Sequence, residues 1–505
     1  MIARDESPKN SSNPPSLKTT FPVPDNDSVL ICSVGGVGQI GMNWTLYGHR
    51  GRWILVDAGS QFAPRDIDGV EAIFPDPQSL KSILPRLDAL IVTHAHEDHI
   101  GAIHRLWPQI KCPIVATRFA AEVLKQRFDE RDAKKKVKIK LFNPGDKFQI
   151  GGFKIETIGL THSVPECVGL AIKTKAGTIW HTGDWKFDPK PIVGKRIDVE
   201  RLKRLGREGV LAMVCDSTNA NRRSPITSEN DLAKGMEAVF RDTDGLVAVT
   251  CFATNIARVV TAIKAATKSG RKVAISGRSL IKNVEIARKL GMLDGVPPLL
   301  DEPRRLSRFY RAQMALICTG AQGEERAAFA KLSIGGSRFL PKIAEGDAVI
   351  HSARAIPGNE EDIERVFDRF RAQGVAVHTK EYDGSPLHVT GHATAHELEM
   401  MYSFIQPKIS IPVHGEEEHL DAHAAIARSR GVKNVFVPHE GLVMRVTKDG
   451  IAPVADVSIN LVAELSLSPG AFVDWDEEMF RHIQETEKAA ELDEIYETSG
   501  QRMVA

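Results

Sequence analysis

Six short apolar runs in this chain each end on a histidine or an aspartate, and that repetition restricts the fold more than any other feature. WILV (53–56) runs into Asp57, ALIVT (89–93) into His94, and IETIGLT (155–161) into His162. TIWHTG (178–183) meets Asp184, VLAMVC (210–215) meets Asp216, and ISIPV (409–413) meets His414. Short apolar runs bounded by Gly, Asp and Pro read as buried strands. In layered α/β folds the strand ends are where sites collect, because a rigid scaffold and open loops coincide there. The six runs predict one shared site at one rim of such a fold.

The segment His94-Ala-His96-Glu-Asp98-His99 puts four potential ligands into six residues directly after a buried strand. Imidazole and carboxylate are the ligand set for zinc and related divalent ions. This spacing does not lie on one helix face as in HExxH proteases, so a turning loop must present it. His162, Asp184 and His414 bring the candidates to seven, too many for one tetrahedral ion, which takes three or four. We assign His94, His96 and His162 to one ion, Asp98, His99 and His414 to a second, and Asp184 as the bridging carboxylate. Two ions roughly 3.5 to 4 Å apart would generate a nucleophile from water at neutral pH and clamp the reacting oxygens. His162 or His414 taken singly would more often be a structural histidine; their place at strand ends raises the metal reading.

Composition bounds the rest. The 505 residues hold 66 basic and 65 acidic side chains, a net charge of +1, with 42% hydrophobic and 26% charged residues. That is ordinary globular composition, and it excludes a disordered, collagen-like or disulfide-stapled chain. The length suggests about three units on a prior of about 150 residues each. Six scattered cysteines without a CxxC pair read as buried and reduced, which points to the cytoplasm. No apolar run approaches the roughly 18 residues of a membrane span, and no membrane partner is expected. Near neutrality means that a nucleic-acid partner must be drawn by a local channel and not by the whole surface.

Residues 1–28 are rich in Pro, Ser, Asn and Lys without an apolar segment, and read as a disordered tail, not a signal. Residues 29–221 form the first part of the main domain and 381–446 its second part. Between them, 222–380 alternate strand and helix without His or Asp at strand ends, which reads as an inserted βαβ-type domain. After Gly441 a strand pair is expected to about Asn460; as a whole, 447–505 reads as a linker and a short acidic, helix-prone segment.

The strings HAHEDH, LVDAG (Asp57), THSVPE (His162) and HTGDW (Asp184) resemble the motif set of the metallo-β-lactamase superfamily. The insertion, with Asp216 in CDSTN, His392 in HVTGHA and His414 in PVHGE, is similar to the beta-CASP nucleases. GGVGQIGMN, TGAQGE, IPGNE and HVTGH resemble the ribonuclease J family specifically, over roughly Ser28 to Val446. The resemblance implies an α/β fold: a metallo-β-lactamase αββα sandwich with an inserted, Rossmann-like beta-CASP domain. It implies a dizinc ribonuclease, with manganese as the alternative ion, acting 5′ to 3′ and also internally on single-stranded RNA with a 5′-monophosphate. A homodimer and RNA-decay protein partners are further expectations. The family's further small C-terminal domain is not expected in the short acidic end, which leaves dimerisation open.

By the same resemblance Asp57 orients the metal loop, and Asp216 and His392 sit at the scissile phosphate. His392 is the candidate acid or phosphate ligand, oriented by Asp216. His388, Thr390 and the amide of Gly391 would cradle a phosphate, since glycine lets the backbone approach closely; for His388 alone a structural role weighs nearly as much. Ser352 is a candidate phosphate contact from the insertion, with a capping or turn role weighing about equally. The basic stretches 134–140 and 304–311 offer an RNA track with Phe309 or Tyr310 stacking a base, although a solvated face is the more frequent role of such runs.

Gly36, Gly38 and Gly41 fit GxGxxG, the dinucleotide fingerprint, but no helix is expected at the third glycine. MNWTLYGHRGRWILV reads as two strands around a turn, so tight turns beneath the site explain these glycines better. The rival readings are a hydrolase of small thioesters or lactones on the same scaffold, and an inactive RNA-binding scaffold. The insertion, which would roof the metals and shape a cleft for a long substrate, argues against the first. The complete ligand set argues against the second.

Overall fold

Alternation along one strand shows how the layers form. In Val29–Gly35, Val29 and Ile31 face one way and Leu30, Cys32 and Val34 the other, and every residue is buried. Val29 and Ile31, with Tyr47, Ile54 and Ile91, meet Phe153, Ile155, Leu170, Ile179 and Ile411 of a second sheet. The opposite face carries the helices Ile103–Ile110 and Arg118–Glu130. Beyond the second sheet, Trp180, Met213 and Cys215 lie under Val199–Glu208 and Ala395–Ile405. This is the expected αββα sandwich. The computed structural model describes residues 17–481 apart from 65, 66, 68, 132–136, 357, 467–469 and 479.

The first sheet runs Gly450–Asp456, Leu442–Thr447, Val29–Gly35, Trp44–His49, Arg52–Val56, Leu87–Ile91, Ile114–Ala116, Ile139–Leu141. The second runs Asn434–Val435, Ile409–Val413, Ala212–Asp216, Thr178–His181, Val168–Lys173, Phe153–Gly159, Lys147–Ile150. Parallel neighbours end at the same rim, and this places the site. Val56 pairs with Ile91 in a parallel ladder, so Asp57 and the His94 loop emerge together. Ala212–Asp216 lies parallel to both Thr178–His181 and Ile409–Val413, with Asp216 beside Val413, so Asp184, Asp216 and His414 emerge together too.

The insertion holds five parallel strands in the order Lys272–Ser276, Met314–Cys318, Val247–Thr250, Ala348–His351, Ala376–His378. Val247, Val249, Ile317 and Ile350 lie in one apolar layer with the helices Leu232–Asp242 and Ile256–Lys268. Ala248, Leu316 and Val349 lie in another with Phe329, Phe367 and Phe370. Among the described residues no helix is long and apolar enough to cross a membrane. All six cysteines are unpaired and buried.

Two expectations at the chain ends are corrected. Residues 1–16 lie outside the described residues, but 17–28 are not a loose tail. The Phe21 ring meets Trp53 edge-on at 5.7 Å, and Asp456 N–H donates to the Lys18 carbonyl at 2.7 Å. Residues 447–466 and 470–474 are not a linker either. The expected strand pair closes one edge of the first sheet, and Leu461–Leu465 then pairs antiparallel with Val70–Pro75 and with Phe472–Asp474. Glu464 is fully buried there, receiving Arg105 Nε and Arg131 Nη2, each at 2.6 Å. A short strand whose partner lies nearly 400 residues away has no local signature, so its pattern passes for a connector. Most of the acidic segment lies outside the described residues.

Candidate metal centre

The HAHEDH segment leaves its strand extended and then turns into a one-turn helix, Glu97–Ile100, with His96 at its N-cap. Asp57 and His414 carry φ of 60° and 56°, left-handed values that cost a non-glycine residue of order 1 kcal/mol and collect at functional sites. The surrounding bonds hold both. Asp57 accepts Thr93 N–H at 2.8 Å, Thr93 Oγ1 at 2.7 Å and His99 Nδ1 at 2.7 Å, while His414 N–H donates to the Gly36 carbonyl at 2.8 Å. Gly36 itself has φ 83°, and a side chain there would collide with Asn43. No helix follows Gly41; the strands Trp44–His49 and Arg52–Val56 do, as the turn reading requires.

All seven predicted ligands converge. Ligand atoms of His94, His96, His162 and Asp184 lie within 4.8 Å of one another, as do those of Asp98, His99, Asp184 and His414. Tetrahedral bonds of about 2.0 to 2.1 Å put neighbouring ligand atoms about 3.4 Å apart. In the first group, Asp184 Oδ2 is 3.6 Å from both His94 Nε2 and His162 Nε2, and His162 Nε2 is 3.0 Å from His96 Nδ1. In the second, His99 Nε2 is 3.4 Å from Asp98 Oδ2 and 3.2 Å from Asp184 Oδ1, and His414 Nε2 is 3.4 Å from Asp98 Oδ2. His94 Nε2 and Asp184 Oδ2 are buried without a hydrogen-bond partner. Orphaned buried atoms of this kind need an explanation, and the donor set fits a cation.

Electrostatics agree with the two groups. Burial, reinforced by neighbouring imidazoles, keeps His94 and His162 well below the usual histidine range, and burial brings His96 down to about 4. Their rings are neutral and keep a lone pair for a metal. In the second group burial is outweighed by carboxylates: Asp184, Asp98 and Asp57 hold His99 well above its usual value, and Asp184 lifts His414 to about 9. Without cations, protons balance the carboxylates there. Outer contacts fix the rings: His162 Nδ1 donates to the Gly391 carbonyl at 2.6 Å, and Thr93 Oγ1 lies 3.0 Å from His94 Nδ1.

His392 Nδ1 lies 2.9 Å from Asp216 Oδ2, and the other Asp216 oxygen takes Thr218 N–H and Oγ1 at 2.9 and 2.7 Å. Asp184, Asp216, His392 and His414 form a third cluster that overlaps the metal groups. Burial would lower the His392 pKa, but Asp216 and Asp184 prevail and raise it. Thr390 Oγ1 accepts from Asn219 Nδ2 at 2.8 Å beside it.

Ser352 does not face the cleft as a phosphate contact would. It is buried, its hydroxyl donates to the Leu387 carbonyl, and Arg258 Nη1 donates to its Oγ at 2.8 Å. Arg258, fully buried, also pairs with Glu229 and lies 3.1 Å from His388 Nδ1 through Nη1, so His388 shares this network between domains. Tyr310 is exposed, but it precedes the strand Met314–Cys318, at the end of the inserted sheet opposite Thr250 and Ser352. The 304–311 stretch therefore sits away from the metals, and residues 134–136 of the other basic stretch lie outside the described residues. Sequence reasoning missed Asn43, whose Nδ2 lies 3.1 Å from both Asp98 Oδ2 and His99 Nε2. Its place in the GGVGQIGMN string was the available signal.

This fold and this site define a metallo-β-lactamase-fold protein carrying a beta-CASP insertion. Three family models agree: a beta-lactamase superfamily domain over residues 52–202, a ribonuclease J beta-CASP domain over 244–370, and a Zn-dependent metallo-hydrolase RNA specificity domain over 385–438. The chain is 38% identical to ribonuclease J of Sinorhizobium meliloti over 437 residues, 85% of this chain and 76% of that one, and belongs to the ribonuclease J family. It is 37% identical to ribonuclease J of Mycolicibacterium smegmatis (85% and 76% covered) and 36% identical to that of Helicobacter pylori strain 26695 (82% and 60%). A solved protein of unknown function from Enterococcus faecalis V583 shares the fold at TM-score 0.57 and 16% identity, over 83% of this chain and all of that one.

Proposed function

We propose that the chain is a metal-dependent ribonuclease that hydrolyses RNA phosphodiester bonds, trimming single-stranded RNA from a 5′-monophosphate end and also cutting internally. The proposed cofactors are two zinc ions, with manganese as the alternative; the setting is RNA processing and decay in the cytoplasm, as a homodimer and with RNA-decay protein partners. One observation carries the reading: the two ligand groups share Asp184 and lie against the Asp216–His392 pair. Two divalent cations bound there would lower the pKa of water and neutralise phosphate oxygens. His94, His96, His162 and Asp184 would hold one, and Asp98, His99, Asp184 and His414 the other.

Asp57 fixes the His99 ring and Gly391 fixes His162, so neither imidazole must reorganise when loaded. The Asp216 bond to Nδ1 leaves His392 Nε2 for the substrate. Asp216 and Asp184 raise its proton affinity against burial, which favours a proton on that nitrogen for donation to a departing 3′ oxygen. Thr390 and the Gly391 backbone adjoin it as phosphate contacts. Purified protein incubated with 5′-labelled single-stranded RNA, with and without chelator, tests the reading. Chelator-sensitive release from the 5′ end supports it; intact RNA alongside turnover of small thioesters or lactones would falsify it.

A further inference from the structure

Arg354 follows the strand Ala348–His351 of the insertion, and its Nη1 donates to Asn219 Oδ1 of the scaffold at 2.5 Å. Asn219 is fully buried, and its Nδ2 continues to Thr390 Oγ1 at 2.8 Å and to the His392 carbonyl at 3.3 Å. One amide thus separates this guanidinium from the segment that bears His392. Arg354 is half-buried, yet among the described residues it closes no ion pair; Glu416 and Glu360 act on it only from a distance. The charged neighbour that acts most strongly on it is a second cation, Arg222, which is exposed and likewise without an ion pair among the described residues. Burial and Arg222 together lower the Arg354 pKa.

A partly desolvated guanidinium beside a like charge is unfavourable unless an anion completes it. Its planar donors match two oxygens of one phosphate, and an RNA strand threaded to the metal centre brings several phosphates past this point. We infer that Arg354, with Arg222 beside it, binds a phosphate of the substrate RNA at the junction of the insertion and the metal centre. The inference rests on the ribonuclease reading. A bridge between domains alone would not need a charge, because a neutral donor satisfies an amide oxygen such as that of Asn219.

The test is steady-state cleavage of single-stranded RNA by the metal-loaded full chain and its Arg354→Gln variant across a salt series. The variant is expected to raise KM about tenfold, the scale of one charge-assisted contact, with kcat within about twofold. The slope of log kcat/KM against log salt should fall by about 0.7, the share of one single-strand phosphate contact. Arg223→Gln is the control, since Arg223 is already paired with Glu399 at 2.9 Å, and it should match the parent. Substrates with 5′-monophosphate and 5′-hydroxyl ends separate the sources. A loss with both places an internal phosphate on Arg354, and a loss with the monophosphate alone places the terminal one. Parent-like KM and salt slope in Arg354→Gln would overturn the inference while leaving the nuclease reading intact; a parent protein that does not cleave RNA would overturn that reading first.

Discussion

The Gly391 carbonyl lies 2.6 Å from His162 Nδ1, joining two residues 229 positions apart. The bond fixes which His162 nitrogen faces the candidate metal. A Cβ at 391 would stand 2.8 Å from His162 Cε1. Gly391→Ala should therefore turn the ring and lower metal affinity and RNA cleavage about 10- to 100-fold, the usual range for lost outer contacts. Metal titration with an unchanged far-UV spectrum checks this; full metal affinity would sink it.

Asp184 belongs to both ligand groups, so its loss removes a donor from each. Asp184→Asn should lose both cations and at least about a hundredfold in cleavage, with secondary structure retained because the strands around it do not depend on that oxygen. Elemental analysis of the purified variant against the parent reads this directly. Chelation of the parent should reproduce the loss, and re-addition of zinc or manganese should reverse it.

Arg258 is fully buried against Glu229, itself 4% exposed, with Nε and Nη2 on its two oxygens at 2.9 and 2.7 Å. Arg258→Met strands that carboxylate and should cost about 3 to 5 kcal/mol. Because Arg258 also holds the Val389 carbonyl at 3.0 Å, the effect should reach the segment that bears His392. A lowered urea midpoint with reduced kcat is expected; an unchanged midpoint would count against the network.

Glu464 links stability to pH. Burial would raise its pKa, but Arg131 and Arg105 hold it below the ordinary glutamate value. A lowered folded value means the pairing is complete above the unfolded pKa of about 4.3 and is lost as pH falls through the folded one. Glu464→Gln should thus lower the thermal midpoint at pH 7, and the gap to the parent should close below about pH 4. A gap independent of pH would contradict the ion pairs.

Much of the site was legible because its signals are local. A histidine or aspartate after an apolar run can be read in a window of a few residues, and parallel pairing then carries Asp57, His94, Asp184, Asp216 and His414 to one rim. Residues whose role depends on a distant partner were not. For Ser352 a phosphate contact and a capping or turn role weighed about equally, since nothing nearby announces that Arg258, 94 positions earlier, donates to its hydroxyl. Tyr310 looked suited to stacking, but which end of a parallel strand faces a site is a property of the sheet. Leu461–Leu465 resembled a connector because its partner strand begins at Val70. Asn43 sat among glycines whose turns drew the explanation away from it.

The strand ending at Asp216 and the one leading to His414 are immediate neighbours, yet the whole insertion is threaded between them. A ribosome making this polypeptide therefore releases His94, His96 and Asp184 long before His414 exists, and the strand that must seat beside Ala212–Asp216 emerges late. Until then the donor set stays unfinished.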